Sequence, residues 1–457
     1  MKTTDSPDAV ATVRGDEGAS VLGPDNVAVA LQNPGAPPTD SGSLPNLKFP
    51  FAAAHNRLQT GGWAREVTVR ELPVATTLAG VNMRLKAGAY RELHWHKEAE
   101  WAFMLSGSAR IAAIDPQGRN FIDDIGRGDL WNFRAGFPHS IQALEDCEFL
   151  LVFDDGNFSE NETFLVTDWF AHTPKHVLAK NFGVPEAAFA NIPAAGDIEH
   201  TRYIFPGEVP GTLVADIEAT KSPAGTAERM SHRMLAQDPI EVPGGSVRIT
   251  DSTNFPAAST IAAAFVELRP GAVRELHWHP NNDEWQYWLS GHARMTVFGS
   301  SGKARTFDYY PGDVGYVPRF MGHYIENVGE GPVRMLELFR SDHFADVSLN
   351  QWLGLTPAEV VAATLNLHRD TVAAMRKDKP LIMPSRSGRA LSLWTTYQGF
   401  WGQFGRHESP GSNLTESRAA VGVRVLFVSH VASAWGVHSR REGQHRPVNV
   451  VGRCSYE

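Results

Sequence analysis

The chain has 457 residues, 42% hydrophobic and 20% charged, which suits two or three soluble domains with ample core. Its net charge of −9 argues against the clustered basic surface that nucleic acid requires, so no such partner is expected. Cys147 and Cys454 are the whole cysteine content, which excludes a disulfide framework and a thiolate metal cluster.

Residues 1–45 are rich in Pro, Gly, Asp and Ser and read as an irregular N-terminal arm. They contain no apolar run of the signal-peptide kind. No stretch reaches the roughly 18–20 apolar residues of a membrane span, so the expected location is cytoplasmic with no membrane partner. From about Lys48 the text becomes short β-prone runs punctuated by glycine, such as VTVRELPV, WAFMLSGSARIAAI and EFLLVF. Close spacing of such runs predicts an all-β sandwich or barrel. The same text returns as TIAAAFVELRPGAVRELHWH, WQYWLSGHARMTVF and VRMLELF, which divides the body into domains at 46–229 and 230–380. After each barrel comes a tryptophan and then a helix start. Trp169 precedes Thr173–Pro174, and Trp352 precedes Thr356–Pro357. Threonine as N-cap with proline at the first helical position predicts both starts, and Glu359 completes a capping box. The second helical stretch is predicted to run to about Lys377. Residues 381–457 carry nine arginines against four glutamates with no lysine or aspartate, hence +5, leaving −14 for the rest. They read as a disordered tail. Asn413-Leu414-Thr415 fits the glycosylation tripeptide, which means little without a secretory signal.

The hexapeptide RELHWH occurs at Arg91–His96 and again at Arg274–His279. Side chains two apart on a strand share a face, so His94 projects with His96 and His277 with His279. Glu100 follows the first pair after three residues, and Glu284 follows the second after four. His139 and His323, each 184 residues from its counterpart, complete two sets of three imidazoles and one carboxylate. Such a set binds a divalent metal, and two copies at matched offsets are hard to explain otherwise. Nitrogen and hard oxygen without sulfur suit Mn, Fe, Co, Ni or Zn and disfavour copper(I). Four protein ligands leave two positions of an octahedron open, as a catalytic site needs.

The two copies resemble the cupin motifs. Gly88, His94, His96, Glu100 and Gly107 satisfy the first motif, as do Gly271, His277, His279, Glu284 and Gly291. The second motif is present as Gly312, Pro318, His323 and Asn327; in the first copy Arg134 and Ala143 replace its proline and asparagine. The strings RELHWHKEAEWAFM, FLLVFDDGNFSEN, RELHWHPNNDEWQY and DVSLNQWL resemble the bicupin oxalate decarboxylases, over about residues 12–377. The resemblance implies an all-β fold of two tandem cupin (jelly-roll) barrels, each followed by short helices. It implies a homo-oligomer, trimer or hexamer, in which subunits trade those helices. It also implies conversion of oxalate to formate and carbon dioxide with two Mn(2+) per chain and dioxygen as co-substrate.

Arg91 is the residue that would polarise the substrate carboxylate, although strict alternation sets it on the face away from the histidines; Arg274 repeats it in the second copy. The segment Ser159–Thr163 resembles the family's mobile lid, with Glu160 at the position of the proton donor. Glu162 stands where the family usually has serine. The second copy, RSDHFADVSL, has no lid glutamate, so the N-terminal site is expected to be the main catalytic one. Glu337 is a secondary candidate for proton handling. Two other functions compete: an oxalate oxidase yielding carbon dioxide and hydrogen peroxide, and a non-catalytic bicupin binding protein.

Overall fold

In the computed structural model, the short apolar runs form antiparallel strands that close into two barrels. The structure describes residues 37–192 and 204–385, all within one compact unit. Residues 1–36 of the expected arm, 193–203, and residues 386–457 with the Asn413 tripeptide lie outside the described residues.

The first barrel has two sheets. One runs in the order Ser231–His232, Leu130–Phe133, Glu100–Ser106, Cys147–Phe153, Ala79–Leu85, Gly62–Val67, Asn56–Gln59. The other runs Phe164–Leu165, Tyr90–Trp95, His139–Ala143, Ser108–Ile114, Asn120–Gly126, with Ile204–Phe205 also on Tyr90–Trp95. The second barrel repeats this plan around Glu284–Ser290 in one sheet and Val273–Trp278 in the other. Gly107 and Gly291, at φ +71° and +85°, make the tight turns that follow the ligand-bearing strands; a side chain there would strike the backbone of Asp146 or Pro332.

Cys147–Phe153 is buried at every position because both its faces are covered. Phe149, Leu151 and Phe153 fill the first barrel, whereas Leu150 and Val152 face the seam between the barrels. There they pack in one cluster with Trp101, Phe103, Phe265, Trp285 and Leu336. Each such side chain contributes about 1.5–3 kcal/mol of burial, so the seam is a core rather than a loose contact.

The connections cross that seam. Lys48–Pro50 pairs with Asp313–Gly315 of the second barrel, and Lys48 Nζ lies 2.8 Å from the buried Asp313 carboxylate. Ser231–His232, just beyond position 230, pairs instead with Leu130–Trp131 of the first. Ile382–Met383, at the start of the expected tail, pairs with Val273–Arg274, and Ile382 is buried.

The helices depart from the expected capping. Trp169 and Trp352 lie inside helices, Val166–Ala171 and Leu349–Gly354. Thr173 and Thr356 donate their hydroxyls to Trp169 O (2.7 Å) and Trp352 O (2.8 Å), closing those helices instead of opening the next ones. Pro174 and Pro357 therefore become the N-caps of Lys175–Phe182 and Ala358–Leu365, and Glu359 makes no capping bond. The helical stretch ends at Asn366 in the left-handed region (φ 54°), and only Arg369–Ala373 follows it before Lys377.

Candidate metal centres and lid

His94 sits directly opposite His139 across two antiparallel strands, and His277 opposite His323. His96 and His279 follow two residues on, and Glu100 and Glu284 open the next strand. In each set one ligand atom per residue lies within 4.8 Å of all the others, and all eight residues are buried. The structure thus brings together every residue of both expected sets.

The imidazoles are oriented from outside. Nδ1 of His94, His96 and His139 lies 2.6, 2.7 and 2.8 Å from the carbonyls of Glu92, Glu98 and Phe137. Nδ1 of His277, His279 and His323 lies 2.7, 2.8 and 3.1 Å from the carbonyls of Glu275, Ala345 and Met321. A carbonyl can only accept, so Nδ1 carries the proton and each Nε2 lone pair points inward. In the second set, Nε2 of His277 is buried without a hydrogen-bond partner, and Nε2 of His279 and His323 face Glu284 Oε2 at 3.1 and 2.8 Å, acceptor against acceptor once each Nδ1 holds the proton. Buried, converging and unsatisfied acceptors fit a cation and little else. Burial, then the nearby Arg91 and other imidazoles, keeps His94 well below the ordinary imidazole range; His277 is held down likewise by burial and Arg274. Burial alone would raise Glu100, but the charge and hydrogen bonds that His139 and His96 offer it when protonated at Nε2 hold the carboxylate below its ordinary range, a role that a bound cation takes over from those protons. Neutral imidazoles and an anionic carboxylate are the states in which these groups bind metal. These are two metal-binding sites.

The second oxygen of each carboxylate is held differently. Trp131 Nε1 donates to Glu100 Oε1 at 2.9 Å, whereas Gln286 Nε2 donates to Glu284 Oε1 at 2.8 Å. Comparing the repeats could not reveal either donor, because the two come from unrelated positions.

The arginines are where strict alternation fails. Between His94 and Arg91 the strand advances three residues while its partner advances two, from His139 to Ile141. The same bulge separates His277 from Arg274. One extra residue reverses the facing, so Arg91 and Arg274 are turned inward and buried, 3% and 0% exposed, while Leu93 and Leu276 point out. This corrects the sequence-based orientation. Arg274 meets Asp346 at 2.8 Å and Glu337 at 3.5 Å, and Lys379 also pairs with Asp346. Burial pushes Glu337 up, with the Glu284 charge adding to it and Arg274 opposing. Strand register matches Glu337 with Leu151 and Asp346 with Thr163, so the first site has no carboxylate at either position. Sequence reading missed Asp346 and Lys379, whose pairing joins residues 33 apart without a motif.

Glu160 begins a 3-10 turn, Glu160–Glu162, capped by Ser159. Phe158, two residues earlier, stacks on Phe153 and approaches His96 with ring centroids 6.1 Å apart, which seats the segment at the first metal site. Glu160 is 5% exposed, and its amide donates to Glu66 Oε2 at 3.2 Å. Burial pushes its carboxyl up to about 7, opposed by Arg57 at 3.9 Å and reinforced by Glu66. Glu162 points to solvent and pairs with the exposed Lys97 at 3.1 Å.

The cupin family matches residues 51–188 and 232–373. Oxalate decarboxylase OxdC of Bacillus subtilis (strain 168) is 56% identical over 382 residues, covering 82% of this chain and 97% of that protein. A probable oxalate decarboxylase of Arthroderma benhamiae is 42% identical over 381 residues, covering 80% and 91%. A solved structure concerned with the Mn(II) centers of the Bacillus subtilis oxalate decarboxylase superposes with a TM-score of 0.75 at 55% identity, covering 82% of this chain and all of that one. A tandem pair of barrels, each holding three inward imidazoles and one carboxylate, together with likeness of this extent, places the chain in the cupin family, among the bicupin oxalate decarboxylases.

Proposed function

We propose that this protein converts oxalate to formate and carbon dioxide at the first metal site, with Mn(2+) bound at both sites and dioxygen as co-substrate. The observation that carries the reading is a complete ligand set with a buried glutamate, Glu160, on the segment whose Phe158 packs against His96. Overall, oxalate dianion and one proton give formate and carbon dioxide, so the protein must bind a small dianion, exclude water and deliver one proton. When bound by His94, His96, Glu100 and His139, the metal supplies Lewis-acid and redox chemistry to one carboxylate of the substrate. Arg91 carries charge into the same cavity and holds the other carboxylate through charge-assisted hydrogen bonds. The Phe153–Phe158 stack walls the site against water. Glu160, protonated below about 7, gives its proton to the one-carbon fragment after the carbon–carbon bond breaks. The second site suits a dianion less well, because Glu337 and Asp346 answer the charge of Arg274 there. It has no lid carboxylate either, so Glu337 and Arg274 serve the metal's surroundings more than turnover. The test is incubation of Mn-loaded protein with oxalate, measuring formate and peroxide together. Peroxide in place of formate would make the protein an oxidase, and neither product would make it a binding protein.

Metal content gives a separate expectation. Protein produced with manganese should hold close to two Mn per chain by elemental analysis, and Glu100→Ala should reduce this to about one. Loss of both metals in that variant would contradict independent sites.

We also propose that the chain assembles as a homo-oligomer, trimer or hexamer. Trp169 and Trp352 are 62% and 55% exposed, and Phe298 and Phe320 flank a groove of about 640 Å³ beside Trp352. Apolar surface of this extent marks a contact face. Light scattering should give the mass of a trimer or hexamer, and a monomer would contradict it. Removal of residues 386–457 should leave the number of subunits and the activity intact. A cut at 381 should not, because Ile382 pairs with the strand that carries Arg274.

A further inference from the structure

The ligand loops of the two metal sites differ in length and in what holds them. Three residues, Lys97–Ala99, separate His96 from Glu100, but four, Pro280–Asp283, separate His279 from Glu284. In the first barrel the loop is fixed from within, by the Ala99 amide donating to Asp154 Oδ1 at 2.9 Å. In the second, the residue before the ligand is Asp283, and its carboxylate reaches across the seam. Asp283 Oδ1 accepts from the Arg319 amide at 2.8 Å. Its Oδ2 accepts from the Tyr316 hydroxyl at 2.5 Å and from the Thr77 hydroxyl at 3.2 Å. Thr77 belongs to the first barrel, and its hydroxyl lies 2.9 Å from that of Tyr316. Tyr316 is fully buried in the seam cluster, on the strand that pairs Tyr316 with Trp285 and Val317 with Glu284. The anchor is therefore rigid.

We propose that Asp283 is a positioning residue for Glu284, and that Tyr316 and Thr77 make the metal affinity of the second site depend on the contact between the barrels. The inference rests on the reading of the second ligand set as a metal site. An unanchored four-residue loop would let Glu284 wander, and the ligand's lost pre-organisation would appear as weaker metal binding. Partners behind a metal ligand typically affect affinity by about 10–100-fold. Thr77 contributes one bond of three, for which about 2–10-fold is the expected scale. Its distinctive property is location: a residue of the first barrel acts on the metal of the second and leaves its own alone.

The test isolates each site in the full-length chain, the second by Glu100→Ala and the first by Glu284→Ala. Each background is titrated with Mn(II), reading bound ion by electron paramagnetic resonance. In the Glu100→Ala background, Tyr316→Phe and Thr77→Val, both close in shape to the native residue, should raise the dissociation constant about 10-fold and about 2–10-fold. Thr77→Ser, which keeps the hydroxyl, should restore it. In the Glu284→Ala background none of these changes should alter binding. If the wild-type chain binds a single Mn(II) and the Glu100→Ala chain none, the reading of the second site as a metal site fails. If it binds one ion and neither Tyr316→Phe nor Thr77→Val shifts the constant, or both sites weaken alike, the positioning role is overturned.

Discussion

Replacing Glu160 by glutamine is expected to lower formate production by a factor on the order of 10² or more, the scale of a lost positioned general acid. The amide has the size of the carboxyl and keeps the buried turn filled, but it has no acidic proton to deliver. Mn content and oxalate binding should persist, since neither uses an acid at that position, and peroxide should rise as the unprotonated fragment meets dioxygen. The pH profile supplies an independent check. Burial, then Glu66, pushes the Glu160 carboxyl up to about 7. The group is thus protonated below that value and loses its proton above it. The wild-type kcat/KM, which reports the free enzyme, should accordingly fall as pH rises through about 7, and that limb should be absent from the Gln variant. Glu162→Ser should change the rate little, because Glu162 faces solvent against Lys97. A silent Glu160→Gln beside a damaging Glu162→Ser would shift the proton donor by two residues.

Both metal sites were legible because strand alternation and a repeated hexapeptide are local signals. His94 and His96 had to share a face, and a second copy at matched offsets removed chance as an explanation. Glu160 needed the resemblance to be found, because nothing in SENET itself distinguishes a buried acid from an exposed one. The two glutamates lie two apart, yet one is 5% exposed and the other open to solvent. The arginines were misoriented for a physical reason. A bulge is a pairing property of two strands, and no period in Arg91–His96 alone announces it. The helix caps failed because Thr173 and Thr356 had a nearer acceptor, the carbonyl four residues back. What depended on distant chain was invisible: Asp346 beside Arg274, Thr77 beside Asp283, and Lys48 paired into the far barrel.

Those distant partners make one substitution act differently in the two copies. Arg274→Ala should chiefly destabilise the fold. Its side chain is 1% exposed and lies against the Asp346 and Glu337 carboxylates, both 1% or less exposed. Removing it leaves buried negative charge facing Glu284, and breaking such a pair from one side costs about 3–5 kcal/mol. Lys379 stays with Asp346 and limits the loss, while Glu337 can take up a proton, as its raised pKa already favours. Arg91→Ala should chiefly remove activity. The positions equivalent to Glu337 and Asp346 hold Leu151 and Thr163, so its removal strands no such pair of carboxylates. Glu92 and Glu160 lose a nearby positive charge, and the substrate dianion loses the guanidinium proposed to hold its second carboxylate. Loss of one side of a desolvated charge pair, about 2–5 kcal/mol, corresponds to roughly 30- to several-thousand-fold in kcat/KM. Denaturant midpoints and kcat/KM measured on both variants separate the two effects. An Arg91→Ala chain that turns over normally, beside a stable but inactive Arg274→Ala chain, would move the chemistry to the second barrel.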